Sequence, residues 1–344
     1  MEREPNTFSE DLMAAKITLI AEVGSVHDGS LGNALALIDA ASSCGADLVK
    51  FQTHIASAET LKDAPMPPYF KGEPRYQYFQ RTAFSLAQWR QLKDHCKERS
   101  VEFLSSPFSM EAVEILEELE IKRYKIPSGE VTNLPLLELV AQTKKPVILS
   151  SGMNSWEELD RAVEAVRKQH DRLSILQCTS EYPCPYEQVG LNVMLQMKKR
   201  YGLPVGLSDH TLTIFAPLAA AALGATIIEK HFTFSRLMYG SDAKHSLEPQ
   251  DFREMVSGIR AVEAMLHHPV DKAQVARFSD MKRVFEKSLV SLKDISKGQM
   301  LTPEVIGIKK PGTGIPAACY QEVVGKKAAR DIPAEKILED QDIE

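Results

Sequence analysis

Eight short apolar runs each finish close to a residue able to carry charge or hydrogen-bond, and they recur about one βα unit apart. They are ITLIAEV (17–23), DLVKFQT (47–53), VEFLSSP (101–107), RYKIPSG (123–129), PVILSSG (146–152), LSILQCTS (173–180), PVGLSDH (204–210) and TIIEKHF (226–232). At or near their downstream ends stand Glu22, Lys50, Ser106, Lys125, Ser150, Ser180, His210 and His231. A charge inside a buried strand is costly unless it is shared, so a whole ring of such positions implies one common site.

The strand pleat places residues i and i+2 on one face. Lys50 and Gln52 therefore point together, as do Ser208 and His210, and as do Glu229 and His231. If His231 faces the site, Lys230 faces away from it or lies at the strand end. Two imidazoles from neighbouring strands, with a carboxylate beside one, form an N,N,O set suited to a divalent transition ion with open positions. A pair of hydrogen-bonded core histidines is the structural alternative. Lys50 and Lys125 bring cations from the second and fourth runs, and Ser106, Ser128, Ser150 and Ser180 add hydroxyls from the third to the sixth. That mixture suits a small phosphorylated, carboxylated anion. A lysine there is also able to act as a Schiff-base nucleophile. Cys178, two residues before Ser180, either shares this interior or packs as a small apolar side chain.

Holding such a ring requires regular alternation of strand and helix. Helical patterns fall at 30–46, 85–100 (with Ser85 as cap), 110–120, 134–145, 155–169, 213–225 and 248–266. Repeated alternation predicts an α/β protein with a closed (β/α)8 TIM barrel, against an open doubly wound sheet. The first run is not followed by G-x-G-x-x-G, which weighs against the open sheet. Segment 54–82, rich in proline and aromatics, is too long for a plain βα loop and reads as a substrate-shaping cover or a surface insertion. After 266 the pattern changes. The expected division is a barrel at 1–270, a linker at 271–284 and a small all-β module at 285–344, with strands in KSLVSLKDI, VIGIKK and KAARDI. So small a module has a marginal core and is expected to dock on a barrel, its own or a partner subunit's.

Composition sets outer bounds. The 344 residues are 44% hydrophobic and 26% charged, as in a soluble globular protein. Net charge is −6 and the pI about 5.9, so neither nucleic acid nor an anionic membrane is an expected partner. No apolar stretch reaches the roughly 18 residues that span a bilayer. The start, MEREPNTFSEDLMAAK, has neither signal- nor transit-peptide character, and a cytoplasmic address is expected. Cys44, Cys96, Cys178, Cys184 and Cys319 are odd in number and scattered, which argues against both a disulfide framework and a zinc ribbon.

The motifs IAEVGSVHDGS, VKFQTH, YKIPSGE, SSGM, QCTSEYP, GLSDHT, EKHFT and GSDAKHSLEP together resemble the sialic acid synthase family over nearly the whole chain. The tail from 285 resembles the antifreeze-like SAF module of those enzymes. The resemblance implies condensation of phosphoenolpyruvate with N-acetylmannosamine or a 2,4-diacetamido-6-deoxy hexose, giving a nonulosonic acid and phosphate. It also implies a domain-swapped homodimer that uses Mn²⁺, with Mg²⁺ or Co²⁺ as substitutes. By motif, His210 and His231 correspond to metal ligands, with Glu229 as a third candidate. Lys50, Ser106, Lys125, Ser128, Ser150, Ser180 and Ser208 correspond to the phosphoenolpyruvate site. Glu22, Gln52, Glu130, Tyr182 and Asp242 correspond to residues near the amino sugar and the reacting carbons, with Glu130 and then Glu22 as choices for steering protons.

Two departures bear on the sugar. Where many family tails read K-R-P-G, this chain has Lys309-Lys310-Pro311-Gly312. The family arginine reaches into the partner's site toward the sugar's acylamino group, and Lys310 offers a point charge in place of a planar fork. The segment after Gln52 also lacks an evident match to the sugar loop of the N-acetylmannosamine enzymes, which leaves a diamino sugar open. Competing functions are a metal-dependent aldolase or another phosphoenolpyruvate-dependent synthase, such as one acting on arabinose phosphate. Those barrels usually lack such a tail. A carbohydrate-binding scaffold is the non-enzymatic alternative, but it has no need of Glu22, Lys50, Lys125, Glu130, His210, His231 and Asp242.

Overall fold

In a computed structural model that describes residues 16–65 and 72–344, all eight runs are strands. The amino-terminal residues up to 15, and Pro67 and Pro68 of the 54–82 segment, lie outside the described residues. The strands are β1 (Thr18–Gly24), β2 (Leu48–Thr53), β3 (Glu102–Pro107), β4 (Tyr124–Ile126), β5 (Val147–Ser150), β6 (Leu173–Cys178), β7 (Val205–Asp209) and β8 (Ile227–His231). They form one parallel sheet in the order β3-β2-β1-β8-β7-β6-β5-β4. Because β3 and β4, at the ends of that order, adjoin one another, the sheet curls into a nearly closed TIM-type barrel.

The two-residue period sorts the barrel interior into layers. Ile20, Leu48, Leu104, Ile148, Leu176 and Ile227 form an apolar cluster of their own. Each such side chain contributes about 1.5–3 kcal/mol through burial. Two residues further along the same strands come Glu22, Lys50, Ser106, Ser150, Cys178 and Glu229, all buried. The apolar layer thus becomes the floor on which a polar layer rests. On β7 the floor position is Gly206, where a Cβ would lie 2.1 Å from the Ile227 carbonyl oxygen and 2.8 Å from the Leu176 side chain. No larger residue fits there.

Helices surround the barrel and span α1 (Leu31–Ser43), α2 (Ala56–Glu59), α3 (Arg75–Thr82), α4 (Leu86–Glu98), α5 (Met110–Glu118), α6 (Leu134–Gln142), α7 (Trp156–Arg167), α8 (Leu191–Tyr201), α9 (Phe215–Ala222) and α10 (Pro249–His267). Ser85 and Ser155 each form a capping box, with Gln88 and Glu158. The sequence patterns omit α8, and its ends explain why. Gly190 and Gly202 flank it in the left-handed region (φ 72° and 62°), with no side-chain cap to announce its start. The short α2 and α3 occupy segment 54–82.

Residues Met1–Pro269 and Val270–Glu344 are separate compact units. The second holds α11 (Ser279–Phe285) and an antiparallel pair, β9 (Ser288–Ser291) and β10 (Ile306–Lys309), with Ile306 opposite Ser291. Leu289, Ile295, Leu301, Ile306, Ala328, Ile332 and Leu338 make its core. KAARDI, expected as a strand, forms only isolated bridges: Lys327 to Met300, Ala328 to Ile343 and Ile332 to Ile295. The chain meets three different partners within six residues, so no ladder accumulates. Among the described residues no helix is long and apolar enough to cross a membrane.

Candidate active site at the barrel mouth

The polar layer is organised around Glu229. Its Oε1 lies 3.1 Å from Lys50 Nζ, 3.1 Å from Lys125 Nζ and 3.0 Å from the Ser208 hydroxyl, joining β2, β4, β7 and β8. Lys50 also lies 3.2 Å from Glu22. Two ammonium and two carboxylate groups are therefore buried together, a ring whose charges cancel. Burial pushes the Glu229 carboxyl up, but Lys125 and Lys50 outweigh it and hold the pKa down at about 2. For Lys50, burial opposes the charge, but Glu22 and Glu229 prevail and raise its pKa. Burial dominates at the other two members, so Glu22 is raised and Lys125 is lowered. Glu22 is the carboxyl of this ring that most readily takes a proton.

Hydroxyls face the same space. Ser106 Oγ and Ser150 Oγ are buried without a hydrogen-bond partner, a cost that a bound anion would remove. Ser128 and Ser180 approach each other at 3.2 Å. Gly152 makes that approach possible: it has φ +46°, and a Cβ there would stand 1.9 Å from Ser128 Cβ and 2.8 Å from Ser180 Oγ. Cys178 shares this interior. Burial pushes its thiol up to about 11, so it stays a protonated, inert group.

The two imidazoles lie above this layer with ring centres 5.4 Å apart. His210 Nδ1 donates to the Thr179 carbonyl at 2.7 Å, which fixes the tautomer and leaves Nε2 with its lone pair. Burial, and then His231, depress the His210 pKa to about 3. His231 Nδ1 is buried without a partner. Among the described residues no three His, Cys, Asp or Glu side chains assemble in metal-holding geometry. The N,N,O set expected with Glu229 is not assembled, because Glu229 Oε1 is drawn to the lysines. Lys230, on the reverse face, is fully buried and donates to Asp209 Oδ2 and the Thr211 carbonyl. This ion pair ties β7 to β8 directly behind His210 and His231.

A cavity of about 280 Å³ opens beside the imidazoles and is lined in part by Gln52, Ser128, Ser180, Tyr182, His231 and Asp242. The Tyr182 ring lies 4.1 Å from His210. Asp242 accepts from the Ser25 amide at 3.1 Å and from the Ser241 hydroxyl at 2.9 Å. Gln52 donates to Glu22 at 2.7 Å. Glu130 follows β4 on a short turn, where burial raises its pKa against the opposing Asn133 hydrogen bond. Spacing arguments overlooked His54 and Glu59. His54 meets the Glu59 carboxylate at 2.9 Å and Gln52 Oε1 at 3.0 Å, and it stacks on Phe79 and Phe108. The one available signal was QTH itself, which puts a titratable residue two positions past Gln52. In the second unit, Lys310 Nζ lies 5.0 Å from the Phe285 ring centre.

Residues 37–271 match the NeuB family and residues 286–344 the SAF domain. The chain is 38% identical over 331 residues to an N,N'-diacetyllegionaminic acid synthase of Campylobacter jejuni, covering 94% of this chain and 99% of that one. It is 35% identical over 323 residues to a pseudaminic acid synthase from the same species, covering 92% and 94%. The solved N-acetylneuraminic acid synthetase of Leptospira borgpetersenii superposes with a TM-score of 0.69 at 29% identity, over 78% of this chain and 91% of that one. A family match over most of the barrel, with close relatives spanning nearly the full length, makes this chain a member of the NeuB family.

Proposed function

We propose that the barrel mouth condenses phosphoenolpyruvate with an N-acetylated amino sugar and water, giving a nonulosonic acid and phosphate. The observation that carries this reading is the buried Lys50–Glu229–Lys125 hub, flanked by the unpartnered Ser106 and Ser150 hydroxyls and linked through Glu22 and Gln52 to the cavity that Gln52 and His231 line. Lys50 and Lys125 bind the phosphate and carboxylate of phosphoenolpyruvate, and Ser106, Ser128, Ser150, Ser180 and Ser208 supply hydroxyls around it. Gln52, Tyr182 and Asp242 seat the open-chain sugar. His210 Nε2 and the free His231 Nδ1 are suited to a divalent ion, Mn²⁺ in this reading, with Mg²⁺ or Co²⁺ as substitutes. Such an ion polarises the sugar aldehyde when bound.

The enol carbon of phosphoenolpyruvate bonds to the aldehyde carbon, whose oxygen becomes an alkoxide and takes a proton. Water adds at phosphoenolpyruvate C2 and gives up a proton. The resulting tetrahedral carbon expels phosphate as the ketone forms. Glu130 is the first choice for moving these protons and Glu22 the second, because burial raises both carboxyls above the ordinary carboxylate range. Lys310 completes the sugar site from the partner subunit of a domain-swapped dimer, and the reduced thiols fit a cytoplasmic setting.

Mass spectrometry of products from phosphoenolpyruvate with N-acetylmannosamine, its 6-phosphate and 2,4-diacetamido-6-deoxy hexoses tests the reaction and names the sugar. Lys50→Ala and Lys125→Ala are each expected to raise the phosphoenolpyruvate KM, through loss of a charge-assisted contact worth about 1.5–3 kcal/mol. Mixing Lys310→Ala chains with His231→Ala chains is expected to restore part of the activity through mixed dimers. No restoration would remove the role of Lys310 in the partner's site. One observation favours a second reading. The lowered Lys125 pKa suits a Schiff-base aldolase, and borohydride trapping of a carbonyl substrate on Lys125 would establish it.

A further inference from the structure

Segment 54–82 carries two arginines at the barrel mouth, and they are used differently. Arg81 is neutralised by Glu73 at 2.6 Å and Asp28 at 2.7 Å. Arg75, the first residue of α3, lines the 280 Å³ cavity together with Gln52, Tyr182 and Asp242. Its Nε is buried without a hydrogen-bond partner, and it enters no ion pair among the described residues. The guanidinium carbon stands 5.3 Å from the Phe79 ring centre. Phe79 stacks at 3.7 Å on His54, which Glu59 and Gln52 hold in place. A guanidinium whose face rests on a fixed aromatic stack has only its edge of N–H donors left to offer. Arg75 is part of the cavity wall, and a buried donor without an acceptor is costly until one is supplied.

We infer that Arg75 is a specificity-determining residue, contributed by the chain's own barrel, that hydrogen-bonds the N-acyl carbonyl oxygen of the amino sugar. Charge argues for a neutral acceptor group. Glu130 already lies close enough to Arg75 to feel its field, and Asp242 lines the same cavity. An N-acyl carbonyl accepts from a guanidinium edge without adding a further anion to that wall. The substrate would then be recognised by its acylation rather than by its hydroxyls alone.

This inference rests on the synthase reading, and the experiment separates the two. Steady-state kinetics of the full chain are measured with whichever acetamido hexose the wild type turns over, and with the matching hexose bearing a free amine or hydroxyl in place of the acetamido group. Wild type is expected to prefer the acylated hexose. Arg75→Met should raise KM for the acylated sugar at least tenfold while KM for the unacylated sugar and for phosphoenolpyruvate stays within twofold, so that discrimination collapses. Arg75→Lys, which keeps the charge but not the fork, should fall between. An unchanged thermal midpoint and unchanged Mn²⁺ affinity by electron paramagnetic resonance would exclude misfolding. Equal losses on acylated and unacylated sugars, or no loss at all, would overturn the role of Arg75. A wild type that turns over no amino sugar would overturn the synthase reading, and this inference with it.

Discussion

Replacing Glu229 by glutamine keeps the shape of the hub and removes one charge from it. In the wild type, Lys50, Lys125 and Ser208 converge on one oxygen at 3.0–3.1 Å, and both lysines are almost wholly buried. The variant leaves two buried ammonium groups facing Glu22 alone, and Glu22 lies beside Lys50 only, at 3.2 Å. Breaking a buried pair by removing one partner costs about 3–5 kcal/mol, which in a barrel of this size lowers the thermal midpoint by of order 10 °C. Phosphoenolpyruvate brings phosphate and carboxylate charges into that deficit. Its stabilising effect should therefore be larger in Glu229→Gln than in the wild type. The assay is thermal melting in excess chelator, with and without phosphoenolpyruvate, so that no metal ion contributes. A variant within about 1 kcal/mol of wild type, below the range for a broken buried pair, would refute the hub. So would a shift with phosphoenolpyruvate no larger than that of the wild type.

Other consequences follow from the same packing. Lys230→Met and Asp209→Asn should each destabilise the barrel by about 3–5 kcal/mol, and the double variant by clearly less than their sum, as measured by urea unfolding. Gly152→Ala forces a methyl into Ser128 at a left-handed backbone position. It should cost about 1–3 kcal/mol of stability and weaken phosphoenolpyruvate use, visible as a raised KM in a folded variant. His27, stacked 4.5 Å from Phe84, has its pKa depressed from 6.5 to about 4, chiefly by burial. The unfolded chain binds that proton first, so stability is full above pH 6.5 and falls by about 3 kcal/mol as pH drops to 4. His27→Gln should flatten that part of the profile in melts across pH.

Much of this site was legible because strand periodicity is strict. Ile20 before Glu22, Leu48 before Lys50 and Ile227 before Glu229 and His231 fix which side chains share the interior, whatever the rest of the fold. Partnership across the barrel is not encoded in spacing. Glu229, expected beside the imidazoles as a third metal ligand, instead gathers lysines from β2 and β4, because distances between non-adjacent strands depend on barrel curvature. Lys230 was expected to face away from the site, and it does, but its burial against Asp209 rests on a contact between two strands. Helix α8 escaped notice because glycine caps both its ends. His54, Glu59 and Arg75 lie in the least regular segment of the barrel, where no period assigns a face. KAARDI satisfied a strand pattern yet lacked a single partner to pair with.

The central claim is that this barrel transfers the enol carbon of phosphoenolpyruvate to an amino sugar with release of phosphate. The most direct measurement follows inorganic phosphate from phosphoenolpyruvate in four mixtures, with and without the acetamido hexose and with and without Mn²⁺. The account predicts phosphate only when both are present, one phosphate for each nonulosonic acid formed, and none from the His231→Ala variant. Phosphate release without the sugar, or equal release by His231→Ala after chelation, would contradict it.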